Sequence, residues 1–177
     1  MKKSISIIFA LFFTNAYATD ITHAPTEPSL CTSNEVRVVS CEIENHKRNI
    51  ISICANSNDG GKTYDNARYF FGKKNNIQLE YRVKKNDSKN KIYRGVDDGT
   101  YTTYFGFQNN AYFYVIGVPE ERFGAKTFLN IYKKDSIISS LQCKTNSFGI
   151  KNLQTNLFTT VDGEELSNGK VTPVLAK

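Results

Sequence analysis

The chain has 177 residues, with 23 Lys and Arg against 17 Asp and Glu, four cysteines, ten Tyr, twelve Phe and no Trp. That length suits one domain with a real hydrophobic core. The lysines are scattered among Asn, Asp and Ser rather than gathered into the basic stripe of a nucleic-acid protein, so no nucleic-acid partner is expected.

Residues 1–18 have the order of an export signal. Lys2 and Lys3 precede an apolar run from Ile5 to Phe13, and Ala16-Tyr17-Ala18 supplies the small residues of a cleavage site. The mature chain is expected to begin at Thr19. Its 159 residues lose Lys2 and Lys3, which lowers the net charge from +6 to +4. The apolar run is too short to span a bilayer, no later segment approaches ~20 apolar residues, and no stable membrane insertion is expected. Cys31 lies too far from the run to be a lipid-attachment cysteine. The expected location is the periplasm, or the exterior by secretion.

All four cysteines, Cys31, Cys41, Cys54 and Cys143, fall in the mature part. An even count in an exported chain implies disulfides. There is no CxxC pair, and His23 and His46 stand apart, so neither a metal nor another cofactor is expected.

Residues 19–30, with Pro25 and Pro28, read as a flexible lead-in. A single β domain is then expected over 31–166 and a frayed tail over 167–177. Within the domain, eight short segments are rich in Val, Ile, Tyr, Phe and Thr: 36–43, 49–54, 67–71, 77–83, 101–108, 111–118, 126–133 and 136–143. Turn chemistry separates them at Asn58–Gly61, Asn75-Asn76, Asn86–Asn90, Asp97–Gly99 and Asn109-Asn110. This pattern predicts an all-β antiparallel meander of about eight strands, closed as a sandwich or small barrel. Little helix is expected, at most a turn near 150–157. An outer-membrane barrel does not fit, because the segments are mostly shorter than the ~9 to 11 residues required and several are polar on both faces.

Three hairpins can be aligned. A turn at Asn109-Asn110 pairs Phe107 with Tyr112 and Phe105 with Tyr114, giving one aromatic face, and sets Phe113 over Gly106 on the other. A turn at Lys134-Asp135 pairs Phe128 with Leu141 and Tyr132 with Ile137, and points Cys143 toward a core. Aligning Cys41 with Ile53 turns Cys54 to the opposite side of the sheet, which removes a Cys41–Cys54 bond. Cys31–Cys41 with Cys54–Cys143, or the crossed alternative, then remains. The first is preferred because it ties an early strand to the last one, a closure of about 4 kcal/mol in the chain-entropy model.

Catalytic material is thin. His46 sits in a charged turn, Glu42 and Glu44 share a strand face, and Asn56–Gly61 lacks the alternating acids of a calcium loop. No enzyme activity is expected. The richest feature is Tyr interleaved with Arg and Lys between residues 62 and 104, an interface composition. Tyr81, Arg82, Tyr93, Arg94, Tyr101 and Tyr104 are its candidate binding residues.

Val39-Ser40-Cys41, Ile51-Ser52-Ile53-Cys54-Ala55, Arg68-Tyr69-Phe70-Phe71-Gly72, Ile77-Gln78-Leu79-Glu80-Tyr81, Tyr112-Phe113-Tyr114-Val115 and Leu141-Gln142-Cys143 together carry a resemblance. From Cys31 to Cys143 the chain resembles a family of small exported proteins of Gram-negative bacteria. Its pattern is a Ser-Cys strand, an Ile-Ser-x-Cys-Ala strand, a Tyr-x-Phe-Gly strand leading to Ile-x-Leu-x-Tyr, and a closing Leu-x-Cys. The resemblance implies location and fold and supplies no catalytic residues.

The expected function is a non-enzymatic periplasmic binder of a protein partner in the envelope, an inhibitor or immunity-type protector against an envelope-acting enzyme. Animal-type lysozyme is a poor target, since those enzymes are basic and would meet a +4 chain with like charge. The alternative is a binder of a small lipid or glycan on the aromatic face of the 101–118 hairpin.

Overall fold

The computed structural model describes residues 27–46, 48–59, 61–120 and 124–171. The expected export signal, His23, residues 19–26 of the expected lead-in and residues 172–177 of the expected tail lie outside these residues. Among the described residues, ten strands form two stacked sheets, accompanied by one short helix. The first sheet is a meander of β1 (Glu35–Glu42), β2 (Ile50–Asn56), β3 (Asn66–Lys73) and β4 (Asn76–Lys84). The second contains β5 (Ile92–Asp97), β6 (Thr102–Asn109), β7 (Tyr112–Val118), β8 (Phe128–Lys133), β9 (Ser136–Gln142) and β10 (Phe158–Thr160), ordered β10-β5-β6-β7-β8-β9. Helix α1 (Gly163–Ser167) follows, with the Asp162 carboxylate accepting from the Glu165 N–H.

The antiparallel sandwich is therefore present, with two strands beyond the eight predicted. Ile92–Asp97 falls between two turn signals and its Gly95 interrupts the apolar pattern, which hid it. Phe158–Thr160 is only three residues long and joins the sheet edge parallel to β5. The helix forms at 163–167, and 150–157 instead holds a turn in which the Leu153 N–H donates to the Ile150 carbonyl at 3.0 Å.

Alternation along the strands decides what is buried. Val39, Cys41, Ile51, Ile53, Tyr69 and Val83 of the first sheet meet Phe105, Phe107, Ile116, Val118 and Leu129 of the second in the main core. Aromatic rings fill its centre, where Phe107 lies 4.7 Å from Tyr69, 4.4 Å from Tyr81 and 4.9 Å from Tyr114, centroid to centroid. The outer face of the second sheet makes a smaller core. There Tyr104, Val115 and Tyr132 lie beneath Val161 and Leu166 of the C-terminal segment, with Tyr93, Phe113 and Phe128 packed around them. The central hairpin β6–β7 is thus buried on both faces.

Register differs from expectation in an informative way. In β6–β7 the turn residues are Asn110 and Ala111, and Phe107 pairs with Tyr114 rather than Tyr112. Asn110 takes the left-handed conformation, φ +54°, that Asn tolerates better than most residues. A shift of two positions preserves every face, and Phe113 still covers Gly106 from the diagonal position. In β8–β9 the Lys134-Asp135 turn and the Tyr132–Ile137 pair occur as expected, but a bulge follows, and Leu141 pairs with Leu129 instead of Phe128. That single-residue step turns the half-buried Leu141 against the main core, within which Cys143 is fully buried.

The preferred disulfide pairing is corrected: the bonds are Cys31–Cys54 and Cys41–Cys143. Cys41 aligns with Ile51, two positions from expectation, so Cys54 does face away from it. Cys54 meets the incoming N-terminal segment on the outer side. Cys41 meets Cys143 because the ends of β1 and β9 come together at an Ile43–Cys143 bridge. There the Glu44 N–H donates to Gln142 O at 2.8 Å and the Lys144 N–H to Glu42 O at 2.9 Å.

Both ends of the described chain are held. Ser40 Oγ donates to Pro28 O at 2.7 Å, and the Leu30 N–H donates to Ser52 Oγ at 3.0 Å. Pro28 and Leu30, within the expected lead-in, therefore hydrogen-bond to the first sheet. At the other end Tyr132 Oη donates to Ser167 O at 2.8 Å, and Val171 packs on the smaller core.

Candidate functional site

A groove of about 800 Å³ crosses the outer face of the first sheet. Period-two alternation in β3 places Arg68 and Phe70 on this face while Tyr69 and Phe71 turn toward the main core. The β3–β4 register steps between Phe71↔Leu79 and Gly72↔Ile77, and beyond the step Ile77 lines the groove with Phe70. One wall is the segment from Glu27 to Thr32, clamped by the Cys31–Cys54 bond. The opposite wall is the loop at Gly149-Ile150. The Phe148 N–H donates to Ser40 O at 2.8 Å and the Ile150 N–H to Arg37 O at 2.9 Å, so this loop closes the free edge of β1.

The groove is apolar below and basic at its rim. Phe70 is 6 % exposed, whereas Ile77 and Ile150 are 41 % and 51 % exposed. The Arg68 guanidinium lies 4.7 Å above the Phe70 ring, a cation–π contact. Arg37, Arg68 and Lys74 supply the positive charge. Arg37 pairs with Glu27, and Arg68 Nη2 donates to Glu35 Oε1 at 2.6 Å. Lys74 has no carboxylate partner among the described residues.

Glu35 holds Arg68 in place. Its side chain is only 2 % exposed. Burial acts to raise its pKa, but the Thr32 N–H at 2.9 Å, the Thr32 hydroxyl and the Arg68 guanidinium favour the carboxylate, and the net effect is a lowered value. Arg68 is therefore a fixed donor fork with part of its surface still open to the groove.

The candidate binding residues predicted from the sequence are not brought together. Tyr81 turns inward, stacks on Phe107 and accepts the Lys91 N–H at 3.1 Å. Arg82 is on the opposite face, paired with Glu80 at 2.8 Å. Tyr93 packs with Phe113 in the smaller core, and Tyr104 is 8 % exposed there. Arg94 is half-buried, donates from Nε to Lys151 O at 3.1 Å, and has its pKa lowered by burial. Tyr101 is 56 % exposed, at the β5–β6 turn with φ +54°. The six residues thus share no one surface, since three of them pack in the two cores. Arg68 and Phe70 belonged to the same Tyr–Arg cluster, and strict alternation through Arg68-Tyr69-Phe70-Phe71 was the signal that would have selected them.

The carboxylates among the other sequence candidates have structural partners. Glu42 pairs with Lys144 at 2.7 Å and Glu44 with Lys126 at 3.2 Å. His46 is exposed in the β1–β2 turn. In the Asn56–Gly61 loop, Asp59 accepts from the Thr63 N–H at 2.7 Å, the Thr63 hydroxyl at 2.7 Å and the Ser57 hydroxyl at 2.8 Å. These bonds lower its carboxyl pKa to about 2 and tie off the turn. Among the described residues no three His, Cys, Asp or Glu side chains are grouped as metal ligands, and no helix is long and apolar enough to cross a membrane. Comparison with protein-family models, curated proteins and solved structures found no match.

Proposed function

We propose that the chain is a non-enzymatic periplasmic binding protein, an inhibitor or immunity-type protector that engages an envelope-acting enzyme through the groove over Phe70. The observation that supports this reading is the groove's construction. An apolar floor sits under an Arg–Lys rim, on a sheet whose wall is stapled by a disulfide, so little ordering entropy remains to be lost when a partner docks. Arg beside a buried aromatic is also the composition of interface hot spots. Disulfides suit an oxidising compartment, and the family resemblance of residues 31–143 agrees with export.

The contact surface differs from the Tyr81, Arg82, Tyr93 and Arg94 patch expected at first, because those four residues do not share a surface. The alternative of a lipid or glycan on the 101–118 hairpin has less support. Phe105 and Phe107 are fully buried in the main core, and Leu166 covers Gly106 on the other face.

The test uses the wild type, Lys74→Glu and Ile77→Asp as baits for a periplasmic extract and for secretions of neighbouring strains. An enzyme retained by the wild type, lost by both variants and inhibited by the purified protein supports the reading. Equal retention by all three, or an enzyme whose activity is unchanged on binding, overturns it.

A further inference from the structure

Taking the groove as the binding face proposed above, we infer that the protein partner presents a carboxylate side chain, which enters a pocket of about 200 Å³ between Arg68 and Arg82. Arg68 and Glu35 line both hollows, so the pocket continues the groove.

Cross-strand register builds this pocket. Strands β3 and β4 place Arg68 directly opposite Arg82, a like-charge pairing that costs stability unless an anion lies between the two. Glu80 supplies an anion on one side, its Oε1 lying 2.8 Å from Arg82 Nη2 and 3.9 Å from Arg68 Nη1. Glu80 does not line the pocket. There the two arginines meet the amides of Asn34, Asn56 and Asn66, with Glu35, whose oxygens are already taken by Arg68 and Thr32. The Arg82 side chain is 49 % exposed and keeps donors to offer. Lys84 follows it on the same face, opposite Asn66, and makes no salt bridge among the described residues. Asp87, which feels the Lys84 charge, is held by the N–H groups of Lys89 and Asn90.

The pocket suits a protein carboxylate better than a phosphate. A guanidinium fork takes either. Two guanidiniums and the Glu35 carboxylate leave a single positive charge in the wall, which a monoanion matches and a phosphate dianion exceeds. The neighbouring floor is apolar. Ile77 pairs with Gly72, four residues along β3 from Arg68 and so about 13 Å along the strand, and it is 41 % exposed. An extended segment carries residues i and i+4 on one face at that spacing, so an acid at i reaches the pocket while an apolar side chain at i+4 covers Ile77. Lys74 at one end of this face and Lys84 at the other favour an acidic partner over a second copy of a chain that is itself net basic.

Arginine side-chain NMR of the disulfide-bonded protein tests this, with acetyl-Gly-Glu-Thr-Ser-Thr-Leu-Gly-amide as the probe and its Gln-for-Glu counterpart as control. In the wild type the Arg68 and Arg82 Nε–H signals should move with the Glu peptide, which should bind about tenfold tighter than the Gln peptide. Arg82→Ala should abolish that preference, and Lys134→Ala, in the β8–β9 turn, should keep it. Equal affinity for the two peptides overturns the inference, as does a preference that survives Arg82→Ala. So does displacement of the Glu peptide by an equal concentration of inorganic phosphate, which marks a general oxyanion site. Failure here is separable from failure of the inhibitor reading. An enzyme captured and inhibited by a protein that shows no peptide preference removes only the carboxylate, whereas a peptide preference with no captured enzyme removes only the inhibitor role.

Discussion

Gly95 of β5 and Gly163 of α1 meet backbone to backbone. A Cβ on Gly95 would stand 2.8 Å from Gly163 Cα, and a Cβ on Gly163 would stand 2.2 Å from the Val96 carbonyl carbon. The helix docks at this distance because neither residue has a side chain, and that contact brings Leu166 down onto Gly106 and closes the smaller core. Gly163→Ala cannot be absorbed by a rotamer change, since the obstacle is backbone. We expect α1 to lift and stability to fall by about 1 to 3 kcal/mol, the usual range for overpacking. Denaturant unfolding gives the loss, and dye binding to the uncovered Tyr104 and Val115 surface gives its location.

The two disulfides make a mapping prediction. Peptide mapping without reduction should recover Cys31 with Cys54 and Cys41 with Cys143. The second closes a span of 102 residues and joins the two sheets. Its removal by Cys41→Ser with Cys143→Ser should cost about 4 to 5 kcal/mol in the chain-entropy model, against about 3 for the 23-residue span of the first. Equal losses for the two bonds would mean that the denatured chain already keeps the sheets close.

Glu35 should make stability depend on pH in acid. Its folded pKa lies below the ordinary 4.5, so its contribution is present above that value and is lost as pH falls through the folded pKa. Glu35→Gln should remove that part of the acid dependence and cost about 1 to 3 kcal/mol at neutral pH, the range for hydrogen bonds to charged groups. Unfolding curves of both proteins from neutral to acid pH check it. Parallel curves would show that Arg68 does not depend on this carboxylate.

Tyr69 carries a hydroxyl that is fully buried and has no hydrogen-bond partner among the described residues. Burial, with a smaller effect from Tyr114, pushes its phenol far above the ordinary value of 10. Tyr69→Phe keeps the ring contact with Phe107 and removes an unpaired polar group. We expect it to be at least as stable as the wild type, because an orphaned buried group costs about 1 to 3 kcal/mol. A clear loss in thermal unfolding would reveal a partner for that hydroxyl.

Local chemistry was enough to read much of this protein. The core strands and the face taken by Phe105, Phe107 and Tyr114 follow from alternation, which survives a shift of two positions unchanged. The opposition of Cys41 and Cys54 follows for the same reason. Steps of one residue are different, because whether β1 bulges after Arg37, β4 beyond Ile77 or β9 at Ile138 depends on what packs against each strand. Those steps put Ile77 into the groove and Leu141 against the core. Long-range closure was equally invisible along the chain. Cys143 finds Cys41 only because two sheets converge at one corner, and the groove over Phe70 exists only because Glu27–Thr32 and Gly149-Ile150, distant in sequence, wall the same sheet face. Contacts of that kind are selected by packing of the whole, which no window of neighbouring residues encodes.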